Sequence, residues 1–225
     1  MLVSEFLEHV NYALRATDDV APSIDSEEGV YWIATANRKK NELYGDITKR
    51  WSAGFATLDL GEISAGAAPS FNLSSEFLTQ AGEPYVIQTN GHRKTLDLVK
   101  PYEQNHYLQQ VYISGASPQV LTFTQEIDTD DNLVGGTLYL PGYFMPADMT
   151  TNTGTVPVDD PYYLVMATAS EIAFGDLTYE DKAADLNAKA AALYSQMIKR
   201  NMHRGYGNPN VTAYQVPKLR GPERM

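Results

Sequence analysis

The stretch from Asp160 to Asn201 leaves this chain the least conformational freedom, because caps, breaks and apolar spacing there all specify helix. Asp160 suits an N-cap and Pro161 the first helical position, where a missing N–H costs nothing. That helix is expected to run into Gly175. After the Gly175-Asp176 break, Thr178 can cap a second helix, with Asp181 in a weakened capping-box position. Tyr179, Ala183, Leu186, Ala190, Leu193 and Met197 then recur at alternating intervals of four and three and so share one face. Alanines in that seam permit close approach of a neighbour, and good helix formers surround them.

The N-terminal end has the same period. Met1 to Ala16 sets Val3, Leu7, Val10 and Leu14 at helical spacing beside Phe6, and Thr17 to Ser23 reads as a turn. Ser26 or Asp25 can cap a second helix with Glu27 and Glu28 in its first turn, where the helix dipole favours anions. Trp32, Ile33, Ala36, Leu43 and Ile47 form its apolar stripe, and Arg38, Lys39 and Lys40 read as a solvated basic cluster on its exposed side.

Between these ends the pattern changes. Ala53 to Ser70 is rich in Gly, Ala and Ser and reads as a loop leaving a helical layer, with one short possible strand at Phe55 to Leu60. From Tyr85 to Tyr143 the period is two. Asn90-Gly91 specifies a hairpin after Tyr85, Ile87 and Thr89, with Leu96 and Leu98 on the return. Tyr107 to Ser114 and Val120 to Ile127 read as a second pair, Asp128 to Asn132 as a polar turn, and Thr137, Tyr139 and Pro141 as an edge-like last strand. An antiparallel module of about four to six strands is therefore expected. In so short a chain the two helical ends pack most simply together. The expected class is α+β, a discontinuous helical bundle of N- and C-terminal helix pairs (1–52 and 159–204) with an inserted antiparallel β module (53–158). Gly205 should end the last helix, and the prolines and glycines beyond it predict an extended tail over 205–225.

Charge divides the chain differently. Lys199, Arg200, Arg204, Lys218, Arg220 and Arg224 against Glu223 alone give the end +5, so a net −11 leaves −16 on residues 1–198. An acidic body with a basic end points to two electrostatic partners. No run of eighteen apolar residues and no basic-then-apolar leader is present, so a soluble, cytosolic chain that meets no membrane is expected.

Catalytic patterns are sought next. The absence of cysteine excludes disulfides, thiolate metal sites and cysteine nucleophiles. His9, His92, His106 and His203 stand at no metal-ligand spacing, and no HExxH or nucleophile elbow occurs. Asp128, Asp130 and Asn132 begin like a calcium loop, but Leu133 and Tyr139 stand where it needs Gly and Glu. Asp18-Asp19 and Asp159-Asp160 read as turn and cap residues. The expectation is no catalytic residue, no metal and no cofactor. Without a basic folded face, the tail favours a protein groove over nucleic acid.

Several segments resemble the head-to-tail adaptor proteins of tailed bacteriophages, including the tail tubular A proteins of short-tailed phages. The likeness to that family's C-terminal helix pair is carried by Val156-Pro-Val-Asp-Asp-Pro-Tyr-Tyr-Leu164, Ala169-Ser-Glu-Ile-Ala173, Leu193-Tyr-Ser-Gln-Met197 and Asn201. Pro22, Glu27-Glu28 and the stretch from Leu96 to Pro101 fit the N-terminal pair and the β module. The resemblance implies a structural virion protein rather than an enzyme. Made in the host cytoplasm, it would sit at the head–tail interface as a homo-oligomeric, dodecameric ring. Such a ring docks under the portal, continues the DNA channel, lets double-stranded DNA pass without sequence-specific binding, and carries the tail nozzle (a tail tubular B-like protein) and in some phages fibres. The seam residues from Tyr179 to Met197 would belong to the ring wall, and Arg200, Arg204, Tyr206, Tyr214, Lys218, Leu219, Arg220 and Arg224 to portal docking. A different class, a carbohydrate- or receptor-binding tail module, is suggested by Tyr102, Tyr107, Tyr112, Tyr139 and Tyr143. A small hydrolase using carboxylates has no pattern in its favour.

Overall fold

Helical periodicity at both ends and alternation between them give a mixed α+β fold. The computed structural model describes residues 1–15, 20–46, 51–102, 110–116, 118–176 and 179–205, the last five as helical backbone. Helix α1 (Val3–Arg15) buries Val3, Phe6, Leu7, Val10 and Leu14. Helix α2 (Glu27–Gly45) starts at Ser26, whose hydroxyl accepts the Gly29 N–H at 3.1 Å. Helix α3 (Pro161–Gly175) is capped by Asp160, which accepts the Tyr162 N–H at 3.1 Å. Helix α4 spans Glu180–Gly205, and the expected Thr178 cap lies outside the described residues, as does Ile47.

Helix α3 occupies the centre because it is apolar around most of its circumference. Helices α1, α2 and α4 all pack on it, so both chain ends share one core, which also takes in Trp51, Met149, Val156 and Val158.

Nine strands lie between the helices among the described residues: β1 (Phe55–Glu62), β2 (Ser70–Asn72), β3 (Phe77–Gln80), β4 (Tyr85–Ile87), β5 (Arg93–Thr95), β6 (Asp97–Leu98), β7 (Gln110–Ser114), β8 (Val120–Phe123) and β9 (Thr137–Phe144). One sheet has the order β1-β9-β4-β5, with β3 also on β9, and the other the order β2-β8-β7-β6. They enclose a second core that includes Ile63, Leu96, Val111, Leu121, Leu133, Leu138 and Leu140. The hairpin at Asn90-Gly91 joins β4 to β5, with Gly91 at φ 82°, and β7 pairs antiparallel with β8.

Three strand expectations are corrected. The module has two sheets rather than one run of four to six strands, and its β6·β7 pair is parallel. Strands of two to four residues such as β2, β3 and β6 offer too few positions for alternation to register. The possible strand at Phe55 to Leu60 is present as β1 and runs two residues further, to Glu62. The supposed edge strand at Pro141 is the hub, β9, which pairs with β1, β3 and β4. Pro141 is tolerated because its carbonyl accepts from Ala81 at 2.9 Å, between the stretches paired with β3 and β4. The N and C=O of one residue point to the same side in an antiparallel ladder, so the proline nitrogen faces that changeover and interrupts neither pairing.

Candidate functional site

The polar residues that join the helical core to the strands are the most highly built feature of the molecule. Of Arg38, Lys39 and Lys40, expected as a solvated cluster, Arg38 is exposed, Lys39 is half-buried and Lys40 is not solvated at all. Lys40 falls one turn after Ala36 on the buried side of α2 and is itself fully buried. Its ammonium donates to the carbonyls of Pro146 and Ala147 at 2.6 and 2.9 Å and to Asp148 at 2.7 Å. All three donors are matched, which is how a charge is tolerated in a core. The segment leaving β9 is thereby tied to α2, and Asn37 reinforces the tie by exchanging two hydrogen bonds with the Met149 backbone at 3.2 and 2.9 Å.

Arg38 and Lys39 both reach Glu171 on α3, each at 2.9 Å, and Lys39 also meets Glu42 at 3.2 Å. Hydrogen bonds from Lys39 and then Arg38 hold the Glu171 carboxyl below its ordinary range. For Lys39, desolvation lowers the pKa, but the bonds to Glu171 and Glu42 outweigh it and the net direction is upward. The hydrogen bond to Glu171 is the main reason the Arg38 guanidinium is raised too.

A second joint lies at Asp159 and Asp160. Asp159 accepts from the Ser52 N–H at 3.0 Å, the Ser52 hydroxyl at 2.5 Å and the Ala53 N–H at 2.9 Å, which fixes the turn that leads into β1. Asp160 caps α3 with one oxygen and meets Arg200 with the other at 3.3 Å. The Trp51 indole donates to the Leu43 carbonyl at 3.0 Å and its ring lies 6.0 Å from Tyr194. The start of β1, the start of α3 and the late turns of α4 therefore meet in one place. Burial, and then the Asp159 charge, raises the pKa of the nearby Tyr44 hydroxyl.

The residues singled out from sequence separate into two groups. In α4, Ala183, Leu186, Ala190 and Met197 are buried and Leu193 is half-buried, as is Tyr179 just before the helix. The seam meets the chain's own helices: Ser170 donates to the Ala183 carbonyl at 3.4 Å, and Arg15 to the Tyr179 hydroxyl at 3.1 Å. On the opposite side of α4, Ala184, Ala188, Ala191 and Ala192 are exposed. Of the docking residues, Arg200 is 61% exposed beside Asp160, and Arg204 lies in the last turn of α4. Tyr206, Tyr214, Lys218, Leu219, Arg220 and Arg224 lie outside the described residues.

Two of the singled-out tyrosines of the β module, Tyr139 and Tyr143, pair with other rings. Tyr85 stacks on Tyr139 at 5.3 Å with Arg93 over the Tyr85 ring at 3.7 Å, and Tyr143 meets Phe55 edge-on at 5.8 Å. Tyr102 is exposed and Tyr107 lies outside the described residues. Sequence reading missed two exposed aromatics on the outer surface of α2 and α3, Tyr31 and Phe174. Both stand within apolar helix patterns that give no sign of which side faces out.

A cleft between Tyr44, Trp51, Gly54 and Phe144 has about 10 Å³, and a shallow groove at the start of α2, lined by Pro22, Ser23, Glu27 and Tyr31, is open to solvent. Among the described residues no group of three or more His, Asp or Glu could hold a metal ion, and no helix is long and apolar enough to cross a membrane. The Asp128 turn is closed by its own bonds, Asp131 N–H to the Asp128 carbonyl at 3.0 Å and Leu133 N–H to the Asp131 carboxylate at 2.8 Å. The sequence matches no protein-family model and no curated protein.

Proposed function

We propose that this chain is a structural subunit of a tailed-bacteriophage virion, a head-to-tail adaptor that forms a ring under the portal and acts without catalysis. The observation that carries the reading is the packing of α1, α2 and α4 on α3 around strands that have a core of their own. This packing supports the discontinuous helical bundle with a β insertion that the resemblance calls for. The joints at Lys40 and at Asp159-Asp160 suit a part that transmits load between helices and strands, because they fix both crossings with bonds to the buried Lys40 and Asp160 and the half-buried Asp159.

In this reading the outer side of α4 meets the next subunit, and the basic end from Lys199 onward grips the portal. The −16 of residues 1–198 faces passing DNA, which it repels rather than binds. A nozzle protein and fibres would attach at the far side of the ring.

Electron-microscope images and native mass measurement of the purified protein test the ring. A closed ring with a central hole, dodecameric by mass, is expected, and a monomer that binds glycans overturns the reading in favour of the receptor-binding module. Replacing Arg200, Arg204, Lys218, Arg220 and Arg224 by alanine is expected to abolish attachment to portal with the fold intact. Undiminished attachment would remove the tail from the docking role.

A further inference from the structure

Of the surfaces without a role in that reading, the two ends of the five-stranded sheet are where independent observations converge. In the order β1-β9-β4-β5, β1 and β5 each have one side on which no strand pairs among the described residues. The register fixes which groups face out. Pro141, opposite Thr57, accepts from Ala81 on the side away from β1, so Thr57 and Pro141 form a pair without mutual hydrogen bonds. Thr57, and Asp59 two residues on, therefore turn their N–H and C=O groups outward. At the other end Gln88 donates to His92 at 2.9 Å and Leu96 to Pro84 at 2.8 Å, so by alternation the bonded pair between them is Val86 with Lys94. Arg93 and Thr95 are left with their N–H and C=O groups outward too. All four side chains are exposed, and all four lie on one face of the sheet, where Asp59, Tyr139, Tyr85 and Thr95 stand directly across from one another.

The two ends are opposite in charge. β1 carries Asp59 and Glu62 and no base, whereas β5 carries Arg93 and Lys94 and no acid. Charge on an open edge repels an identical edge. That rejects β1 against β1 and β5 against β5, and it leaves β1 against the β5 of another copy as the favoured meeting. Within one copy the two edges lie three inter-strand spacings apart, about 14 Å, and cannot meet.

We propose that β1 of one copy pairs with β5 of the next, so that the sheet continues from copy to copy. β1 and β4 run one way and β9 and β5 the other. A neighbour placed by rotation about an axis roughly along the strands therefore presents its β1 antiparallel to β5. The outward groups then match two for two, Asp59 opposite Arg93 and Thr57 opposite Thr95, each a pair that exchanges both main-chain bonds. That register steps two residues from the row of Thr95, the kind of stagger that strands tilted to a ring axis take up. On the shared face Asp59 meets Arg93, whose guanidinium lies 3.7 Å over the Tyr85 ring, itself stacked on Tyr139. Main-chain bonds supply the affinity, and the exposed ion pair sets partner and register more than strength. The contact is head-to-tail, the type that closes into a ring where the rotation allows. It rests on the reading that copies assemble into a ring, and it names a second contact there, apart from the outer side of α4.

Because the chain has no cysteine, Thr57→Cys and Thr95→Cys can be combined in the full chain and oxidised. The two sites are too far apart to bridge within one copy, so a ladder of covalently linked copies is expected on a denaturing gel, with each single variant remaining monomeric there. A double variant that links no better than the single ones overturns the proposal. Charge gives a second measure. Asp59→Arg and Arg93→Asp are each expected to weaken assembly about tenfold in sedimentation, and their combination to restore it. A combination no better than either alone also overturns the proposal. A closed ring that persists in Asp59→Arg, with no links in the cysteine pair, removes the edge contact and leaves the ring standing, whereas a chain that stays monomeric at every concentration overturns both.

Discussion

Lys40 shows how one side chain can join two parts of a fold. A buried ammonium with three matched acceptors adds little to net stability compared with a well-packed apolar residue, but removing it strands the acceptors. Lys40→Met fits the space yet leaves the Pro146 and Ala147 carbonyls unpaired. It is expected to cost about 2–4 kcal/mol in chemical denaturation, and Asp148, more than half exposed, can turn to water. An unchanged denaturation midpoint would mean the segment is held without Lys40. Glu171 acts at the surface and is sensitive to pH. Its folded pKa is depressed, so its contribution is present above the unfolded value of about 4.3 and is lost as pH falls through the folded value. Since the group is one-third exposed and screened, Glu171→Gln is expected to cost only about 0.5 kcal/mol at pH 7. The difference from the native chain should shrink as pH falls through that folded value, and a difference that stays constant as the pH is lowered would place its origin elsewhere.

At the level of elements, the helices were legible because each announces its own ends. Asp160-Pro161, Gly175, Ser26 and Gly205 act within one turn of chain, and the Tyr179-to-Met197 spacing identifies a buried face without knowledge of the partner. The strands were legible only where local chemistry closes them, as at Asn90-Gly91. β9 was misread because centrality is a property of its partners, which come from positions 55–62, 77–80 and 85–87, and no local pattern records them. Lys40 was misplaced for a related reason: its acceptors lie more than a hundred residues away. The hub position has a measurable consequence. Leu138→Ala, at a fully buried site in β9, is expected to cost about 2–5 kcal/mol. Hydrogen exchange should then accelerate in β1, β4 and β5 before α3, because the two ends of the fold have separate cores. Simultaneous loss in α3 would show that the joints at Lys40 and Asp159 make one cooperative unit.

For the whole molecule, electrostatics decides how copies can meet. Residues 1–198 carry −16, so two bodies brought side by side repel, whereas the +5 end of one copy is drawn to the body of another. The two contacts respond oppositely to salt. The Debye length shrinks from about 10 Å at 0.1 M to about 3 Å at 1 M, which relieves body–body repulsion and weakens tail–body attraction. The proposed ring, closed by the outer side of α4 with its exposed alanines, would be a body–body contact. Its assembly, followed by sedimentation at fixed protein concentration, is expected to strengthen as salt rises from about 0.05 to about 0.5 M, the range in which screening changes most. Alanine replacement of Lys218, Arg220 and Arg224 should leave that salt response in place, since those charges belong to the other contact. Dissociation on adding salt, abolished by the same replacements, would instead show that the basic end holds the copies together, and the wall would then have to be sought away from α4.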